Sequence, residues 1–231
     1  MSTNIIFASS KGGVGKTTAN ITLASVLAKK GESSGVKIGL VDADPNQHTA
    51  KWALREGCPQ NIINYGGANE LTIIDIIDNA QSECDFVLVD LEGTASMTVA
   101  SAISRAHLVV VLCQGSQNDA DEAIKTIKLI MSQSKVINRQ IKYSVLFTRT
   151  SAAIRTRNLQ HIQNQFKEAN IDMFSTTLVD REAFRAVNSF GGTIHDLDPR
   201  EVSGIDKAVT NAKDFAAELL SKIKHNEEMS A

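Results

Sequence analysis

Residues 9–18 form the glycine-rich stretch S-S-K-G-G-V-G-K-T-T, and no other feature constrains the fold of this chain as strongly. The stretch follows the short apolar run 5–8 and precedes residues 17–30, where apolar side chains recur at helical spacing. Glycines let successive backbone N–H groups point at an anion, and the following helix directs its positive end toward it. The strand–loop–helix context therefore predicts a phosphate-binding loop.

The residue types in this loop predict different tasks for its members. Lys16 is expected to neutralise the β- and γ-phosphates of a nucleotide, and the hydroxyl of Thr17 is expected to ligate Mg²⁺. Ser10 stands where the pattern G-x-x-x-x-G-K-[ST] has its first glycine, and a second lysine, Lys11, follows it. Further nucleotide contacts are expected from Gly12, Gly13, Val14, Gly15 and Thr18.

Length and composition favour one α/β domain that spans residues 1–231. A net charge of −2 means that any nucleic-acid binding must come from a local basic patch. Cys58, Cys84 and Cys113 form no C-x-x-C pair, which favours a reduced, cytoplasmic protein. The N-terminus shows no signal-peptide pattern, and no apolar run approaches the roughly 18 residues that span a membrane.

Predicted strands and helices alternate along almost the whole chain. Apolar runs predict strands at residues 37–41, 85–90, 108–112, 143–147 and 174–179. Helices are predicted at residues 48–56, 69–80, 95–104, 119–135, 156–169 and 204–224. Residues 58–67 are interpreted as a connector and residues 179–184 as a loop. The alternation predicts an α/β fold with a doubly wound, mainly parallel sheet and helices on both faces, as in P-loop NTPases.

Aspartates follow two of the predicted strands and complete the groups that a nucleotide hydrolase needs. Asp42 and Asp44 follow strand 37–41, and Asp90 ends strand 85–90. Because the carboxyl ends of parallel strands meet at one edge of the sheet, these carboxylates are expected beside the phosphate loop. Asp90 is expected to hold Mg²⁺, and Gly93, in a D-x-x-G pattern, is expected to let its loop approach the γ-phosphate.

The form K-G-G-x-G-K-[ST]-T at residues 11–18 resembles the deviant Walker A motif of the ParA/MinD family of ATPases. The resemblance implies ATP and Mg²⁺ as ligands, and slow ATP hydrolysis that a partner protein and DNA stimulate. It also implies an ATP-sandwich homodimer in which Lys11 reaches the nucleotide of the other subunit. By the same resemblance, Asp44 orients the attacking water and Asp42 supports the metal region. The alternative for Asp44 is a turn residue before Pro45.

The resemblance also assigns the remaining site residues. It makes three residues the catalytic candidates: Lys11, Lys16 and Asp44. It places the adenine contacts in the loops after the late strands, at Thr148, Arg149, Asp180 and Arg181.

Within this family, the sequence resembles a small ParA of the plasmid-partition type or a VirC-type relative that works with conjugative DNA transfer. The last residues are polar and partly acidic rather than a basic amphipathic helix, so no membrane contact is expected. No cysteine lies at residues 90–101, where related proteins ligate an iron–sulfur cluster. The first strand begins at once, so no preceding helix-turn-helix domain is expected.

Such proteins bind DNA non-specifically as ATP dimers, are released by ATP hydrolysis and segregate a plasmid or other cargo with a ParB-like or other adaptor partner. The resemblance therefore implies a cytoplasmic, nucleoid-associated protein. The candidate DNA-binding cations are Arg155, Arg157, Arg181, Arg185, Lys207, Lys213, Lys222 and Lys224. Two alternatives stay open: a metabolic ligase with the same loop, similar to dethiobiotin synthetase, and a non-hydrolysing adaptor whose shape ATP fixes.

Overall fold

The computed structural model describes residues 2–93, 96–154 and 156–228. In this part of the chain, seven strands form a parallel sheet in the spatial order β3-β2-β4-β1-β5-β6-β7. The strands are β1 (Thr3–Ala8), β2 (Ile38–Asp42), β3 (Ile62–Asn64), β4 (Phe86–Asp90), β5 (Leu108–Cys113), β6 (Lys142–Thr150) and β7 (Leu178–Val179). Because β1 lies between β4 and β5, the loop that follows it opens at the middle of the sheet edge.

Helices cover both faces of this sheet. Those that the described residues form are α1 (Lys16–Gly31), α2 (His48–Ala53), α3 (Ile73–Glu83), α4 (Met97–Ser104), α5 (Gln117–Val136), α6 (Arg157–Glu168), α7 (Glu182–Phe190) and α8 (Ile205–Glu228). One hydrophobic core includes side chains of α1, α7 and α8, and the other includes side chains of α3, α4, α5 and α6. The prediction of a doubly wound parallel sheet is confirmed.

The central strand shows why the sequence selects a sheet that is buried on both faces. Ile5 and Phe7 of β1 belong to one core, and Ile6 and Ala8 belong to the other. All four side chains are at most 1% exposed. A continuous apolar run is stable as a strand only where both faces are covered, which a parallel sheet with helices on either side provides.

The last helix, α8, closes the first of these cores. Its apolar stripe is buried there through Ala212, Ala216, Leu219 and Ile223. The stripe therefore faces the protein interior, as its spacing predicts. Among the described residues, no helix has the length and apolar character needed to cross a membrane.

Three segments differ from the sequence-based expectation. Residues 58–67, predicted as a connector, contain β3, whose three half-buried residues are too few for a periodic signal. Residues 179–184, predicted as a loop, include the start of α7, where Ala183, Phe184 and Val187 are buried in the core. The predicted strand 174–179 shortens to β7, and the preceding contact with β6 is an isolated bridge between Met173 and Val145.

Candidate nucleotide-binding site

The phosphate loop lies between the end of β1 and the start of α1. Gly13 and Gly15 have φ angles of 74° and 97°, a region that side chains disfavour, so both positions require glycine. Val14, between them, is 2% exposed. Its carbonyl oxygen accepts a hydrogen bond of 2.6 Å from Thr148 Oγ1, near the carboxyl end of β6. The loop is therefore tied to the sheet, and Thr148 supports its backbone.

Lys16, the first residue of α1, is 6% exposed, and its ammonium lies 3.5 Å from the carbonyl oxygen of Lys11. Burial lowers the pKa of Lys16, although the negative charges of Asp90, Asp44 and Glu92 act to raise it. So long a hydrogen bond offsets only part of the free-energy cost of burying the ammonium. The loop therefore favours an anion, which suits the predicted contact with the β- and γ-phosphates.

Asp90, at the end of β4, contacts two other segments of the site. Its Oδ2 accepts hydrogen bonds of 2.7 Å from Thr17 Oγ1 and from Thr49 Oγ1. Its Oδ1 is buried and has no hydrogen-bond partner among the residues that the structure describes. Burial raises the pKa of the Asp90 carboxyl to about 7, although both threonine hydroxyls favour its charged form. One carboxylate thus links α1, α2 and β4, and its Oδ1 stays without a partner in the described part of the chain.

The groups around Asp90 fit Mg²⁺. This ion prefers oxygen ligands and is usually held by one or two carboxylates together with substrate phosphates and water. The unpartnered Oδ1 of Asp90 and the hydroxyl of Thr17 are donors of this kind. In residues 2–93, 96–154 and 156–228, no three His, Cys, Asp or Glu side chains form a metal site by themselves. Binding of Mg²⁺ would therefore depend on the phosphates of a nucleotide as well.

The two aspartates after β2 have different surroundings. Asp42 is 1% exposed and accepts hydrogen bonds from the backbone N–H groups of Asp44 at 3.0 Å and Ala50 at 2.9 Å. Burial raises the pKa of Asp42, and the two amides oppose this shift. Asp44 is half-buried, and its Oδ1 accepts hydrogen bonds of 2.8 and 2.9 Å from Asn46. Asp44 thus forms the turn named above as its alternative, and its hydrolytic role and the metal role of Asp42 stay predictions.

Gly93 lies directly against the phosphate loop. A Cβ atom at this position would come within 2.7 Å of the backbone nitrogen of Gly12 and within 2.9 Å of the carbonyl carbon of Lys11. No side chain fits at such distances, so glycine allows the loop after β4 to approach the phosphate loop closely. Residues 94 and 95, the first of which follows Gly93 directly, lie outside the described residues.

Lys11 is bound within its own chain. Its Nζ lies 2.6 Å from Asp119 Oδ1 in α5, and the side chain of Asp119 is 4% exposed, against 45% for Lys11. Burial alone would raise the pKa of Asp119, but hydrogen bonds from Lys11 and Ser116 hold it below its usual value. The neighbouring Ser10 donates a hydrogen bond of 2.7 Å to the carboxylate of Glu122. The first residues of the phosphate loop are therefore attached to α5.

A pocket of about 180 Å³ adjoins the loop on the side of β6 and β7. Its lining brings together several predicted nucleotide contacts: Gly15, Thr18, Thr148, Arg149, Asp180 and Arg181. Arg181 Nε is buried without a hydrogen-bond partner in the described part of the chain. Asp180 forms an ion pair with Arg185, which also lines the pocket. The pocket is a candidate for the nucleoside, and these contacts stay predictions.

A larger cavity, of about 540 Å³, lies elsewhere, near the end of α1. Its lining includes Lys29, Asn61 and His195 but none of the predicted site residues. We place the functional site at the phosphate loop because the buried charge of Lys16 and the carboxylate of Asp90 are there. The size of a cavity alone does not indicate a reaction.

Sequence reasoning missed three residues that support the site. Thr49 contacts Asp90, and Asn188 Nδ2 donates a hydrogen bond of 3.1 Å to Thr18 Oγ1, but each reaches the loop only through the fold. Asp119 had a readable signal, because S-x-x-D at residues 116–119 is a typical helix start. That pattern locates the start of α5. It does not predict the contact with the phosphate loop, which depends on β1 and β5 being neighbours.

Comparisons with known proteins bear on the family and the fold of this chain. A family model described as VirC1 protein matches residues 2–219. The protein ParA of Rhizobium radiobacter is 33% identical over 219 residues, which are 95% of this chain and 96% of that protein. The structure of the McdA–ATP complex from Cyanothece has a TM-score of 0.76 at 14% identity, over 94% of this chain and 96% of the other. The septum site-determining protein MinD of Pyrococcus horikoshii OT3, complexed with Mg-ADP, has a TM-score of 0.68 at 14% identity, over 95% and 96%. At these identities the two structures show a shared fold.

The contact at Gly93 predicts the effect of a single methyl group. Gly93→Ala should push the two loops apart and lower nucleotide affinity about tenfold or more, because the added Cβ meets backbone atoms that cannot rotate away. Titration with a fluorescent nucleotide measures the effect. Gly115→Ala is the matched control, since its Cβ would stay 3.6 Å or more from neighbouring atoms. Equal affinities for the two variants would contradict the proposed close approach.

The raised pKa of Asp90 predicts a pH-dependent stability. Its pKa rises from 3.8 to about 7 on folding, so the stability that Asp90 contributes is fully present below pH 3.8 and lost as the pH rises through about 7. Asp90→Asn should therefore stabilise the nucleotide-free protein by roughly 1–3 kcal/mol at pH 8 and by much less at pH 5. Urea unfolding at both pH values measures this difference.

The exposed Asp214→Asn in α8 serves as the control for the loss of one negative charge. This variant should show no comparable change between pH 5 and pH 8. A destabilised Asp90→Asn at pH 8 would mean that the Asp90 carboxylate is better compensated than its burial indicates.

Proposed function

The chain belongs to the VirC1 family, and from this membership and the geometry of the site we propose that it is a ParA-type ATPase that positions DNA or another cargo. The resemblance of residues 11–18 to the ParA/MinD family is confirmed by the family match, and the fold agrees with it. The observation that carries the proposal is the meeting of Lys11, Lys16, Thr17 and Asp90 at one edge of the sheet.

Each group at this edge has a task in ATP hydrolysis, which depends mainly on positioned charge. Lys16 neutralises the β- and γ-phosphates from its buried place at the start of α1. Thr17 and Asp90 hold Mg²⁺, which supplies positive charge beside the phosphates. Asp44, close enough to attract the charge of Lys16, orients the attacking water. The ATP and Mg-ADP complexes of proteins with this fold support the same ligands here.

ATP also joins two copies of the chain in this proposal. The side chain of Lys11, near the start of the phosphate loop, is 45% exposed and can reach toward a second subunit. In a sandwich of two subunits, each Lys11 would contact the phosphates that the partner subunit holds. Hydrolysis would remove the γ-phosphate from that contact and release the dimer.

The dimer is proposed to bind DNA non-specifically through basic side chains of the C-terminal half. Two of the predicted cations are less available for DNA phosphates, because Arg185 pairs with Asp180 and Lys222 pairs with Asp172. Arg155 lies outside the described residues. The exposed cations that make no ion pair within the described part of the chain include Arg157, Lys207, Lys213 and Lys224. Binding through such contacts should weaken steeply with salt and should not depend on DNA sequence.

A second candidate cargo follows from the family match. The VirC1 model matches residues 2–219, and the resemblance to VirC-type proteins implies that the same ATP-driven dimer would assist conjugative DNA transfer instead of plasmid partition. The two functions share the ATPase and differ in the partner protein. Affinity for a ParB-like DNA-binding adaptor would favour partition, and affinity for a relaxase–DNA complex would favour transfer.

Light scattering with ATP tests the proposed cycle. Asp44→Ala should hydrolyse ATP about 100-fold more slowly and should stay dimeric, because the γ-phosphate that holds the dimer is retained. Lys16→Ala should stay monomeric, because the phosphates lose their central positive charge. Normal turnover by Asp44→Ala would remove Asp44 from the mechanism, and an unchanged ATP dimer of Lys16→Ala would reject the phosphate role of Lys16.

A further inference from the structure

The ion pair between Lys11 and Asp119 differs from the others in the described residues. Its carboxylate is 4% exposed, whereas the acidic side chains of the other ion pairs there are 27–68% exposed. The lysine ammonium lies 2.6 Å from Asp119 Oδ1, a distance typical of a strong charge-assisted hydrogen bond. Lys11 is therefore held by an acceptor that water hardly reaches.

Asp119 is fixed independently of the lysine. Ser116 caps α5, and its hydroxyl accepts a hydrogen bond of 3.3 Å from the backbone N–H of Asp119. The same hydroxyl donates to Asp119 Oδ2. The carboxylate therefore keeps its place, and one set of hydrogen bonds, whether or not Lys11 is bound to Oδ1.

The backbone beside Lys11 is also fixed to α5. The N–H of Ser10 donates a hydrogen bond of 3.1 Å to Thr126 Oγ1, and Ser10 Oγ donates one of 2.7 Å to the carboxylate of Glu122. With the neighbouring backbone held in this way, a redirection of Lys11 requires rotations of its own flexible side chain rather than movement of the loop. The ammonium can therefore leave Asp119 without displacing the loop.

We infer that Asp119 is a positioning residue that retains Lys11 in the nucleotide-free monomer, so that dimerisation requires the ammonium to move from Asp119 to the phosphates in the partner subunit. This inference rests on the proposed ATP-dependent dimer. A single carboxylate competes with a triphosphate, whose several negative charges attract the ammonium more strongly. Asp119 therefore raises the protein concentration at which ATP joins two copies.

Removal of the charge on Asp119 tests the competition. Asp119→Asn keeps an oxygen that can accept a hydrogen bond from Ser116 but no longer attracts Lys11 as an anion. Because the Lys11 side chain is 45% exposed, solvent screens this pair, and its loss changes an equilibrium constant about threefold. Two such pairs are released per dimer. The dissociation constant of the ATP dimer, measured by sedimentation with a non-hydrolysable ATP analogue, should fall about tenfold.

Asp121→Asn is the matched control, because Asp121 lies two residues later in α5, carries the same charge and is exposed. Its dimer should dissociate like that of the unmodified chain. The double variant Asp119→Asn with Lys11→Ala should form no dimer, since the gain depends on the released lysine. Thermal unfolding checks that each variant is folded, and Asp119→Ser, with a hydroxyl at the same place, should shift the constant in the same direction if Asp119→Asn does not fold.

The outcomes separate this inference from the proposed function. An unmodified chain that stays monomeric with the ATP analogue would overturn the proposed ATP dimer itself. A chain that dimerises normally, with an unchanged or weaker dimer for Asp119→Asn, would overturn the role of Asp119 alone. A dimer of the double variant as tight as that of Asp119→Asn would also overturn it, because the gain would then not come from Lys11.

Discussion

One carboxylate oxygen, Asp90 Oδ2, connects three elements of the candidate nucleotide site. It accepts hydrogen bonds from Thr17 at the start of α1 and from Thr49 in α2, and it belongs to the strand beside the central one. The hydroxyls fix this carboxylate, while burial opposes its charge. The hydrogen bonds thus position an oxygen ligand whose negative charge a cation would stabilise. The metal role that we propose for Asp90 Oδ1 would therefore be a consequence of how the site folds.

The parts of the fold that could be predicted are those with a strong local signal. The apolar runs of β1, β4 and β5 are buried on both faces, so their composition alone predicts central parallel strands. The phosphate loop was predictable because its glycines meet a backbone requirement, as Gly13 and Gly15 show. β3 and α7 were missed, since three half-buried residues carry no period and the apolar face of α7 directly follows charged residues.

The other features that the sequence could not predict are contacts between distant segments. Asp119 and Lys11 are 108 positions apart, and they meet because β5, which precedes α5, lies next to β1. Asn188 and Thr18 are 170 positions apart and meet through the packing of α7 against α1. No spacing rule reports such pairs. Asp44 is a different case. Its position after β2 was predictable, but the sequence did not decide between a hydrolytic role and the turn that it forms with Asn46.

The central claim is that each nucleotide is completed by Lys11 of the other subunit, and mixing two inactive variants tests it most directly. Lys11→Ala keeps the loop that binds its own ATP, and Lys16→Ala keeps the lysine that reaches across. ATP hydrolysis by each variant alone, and by an equimolar mixture, is the measurement. If Lys11 acts between subunits, the mixture regains activity, because each mixed dimer contains one complete site. A mixture no more active than the sum of its two components would contradict the account.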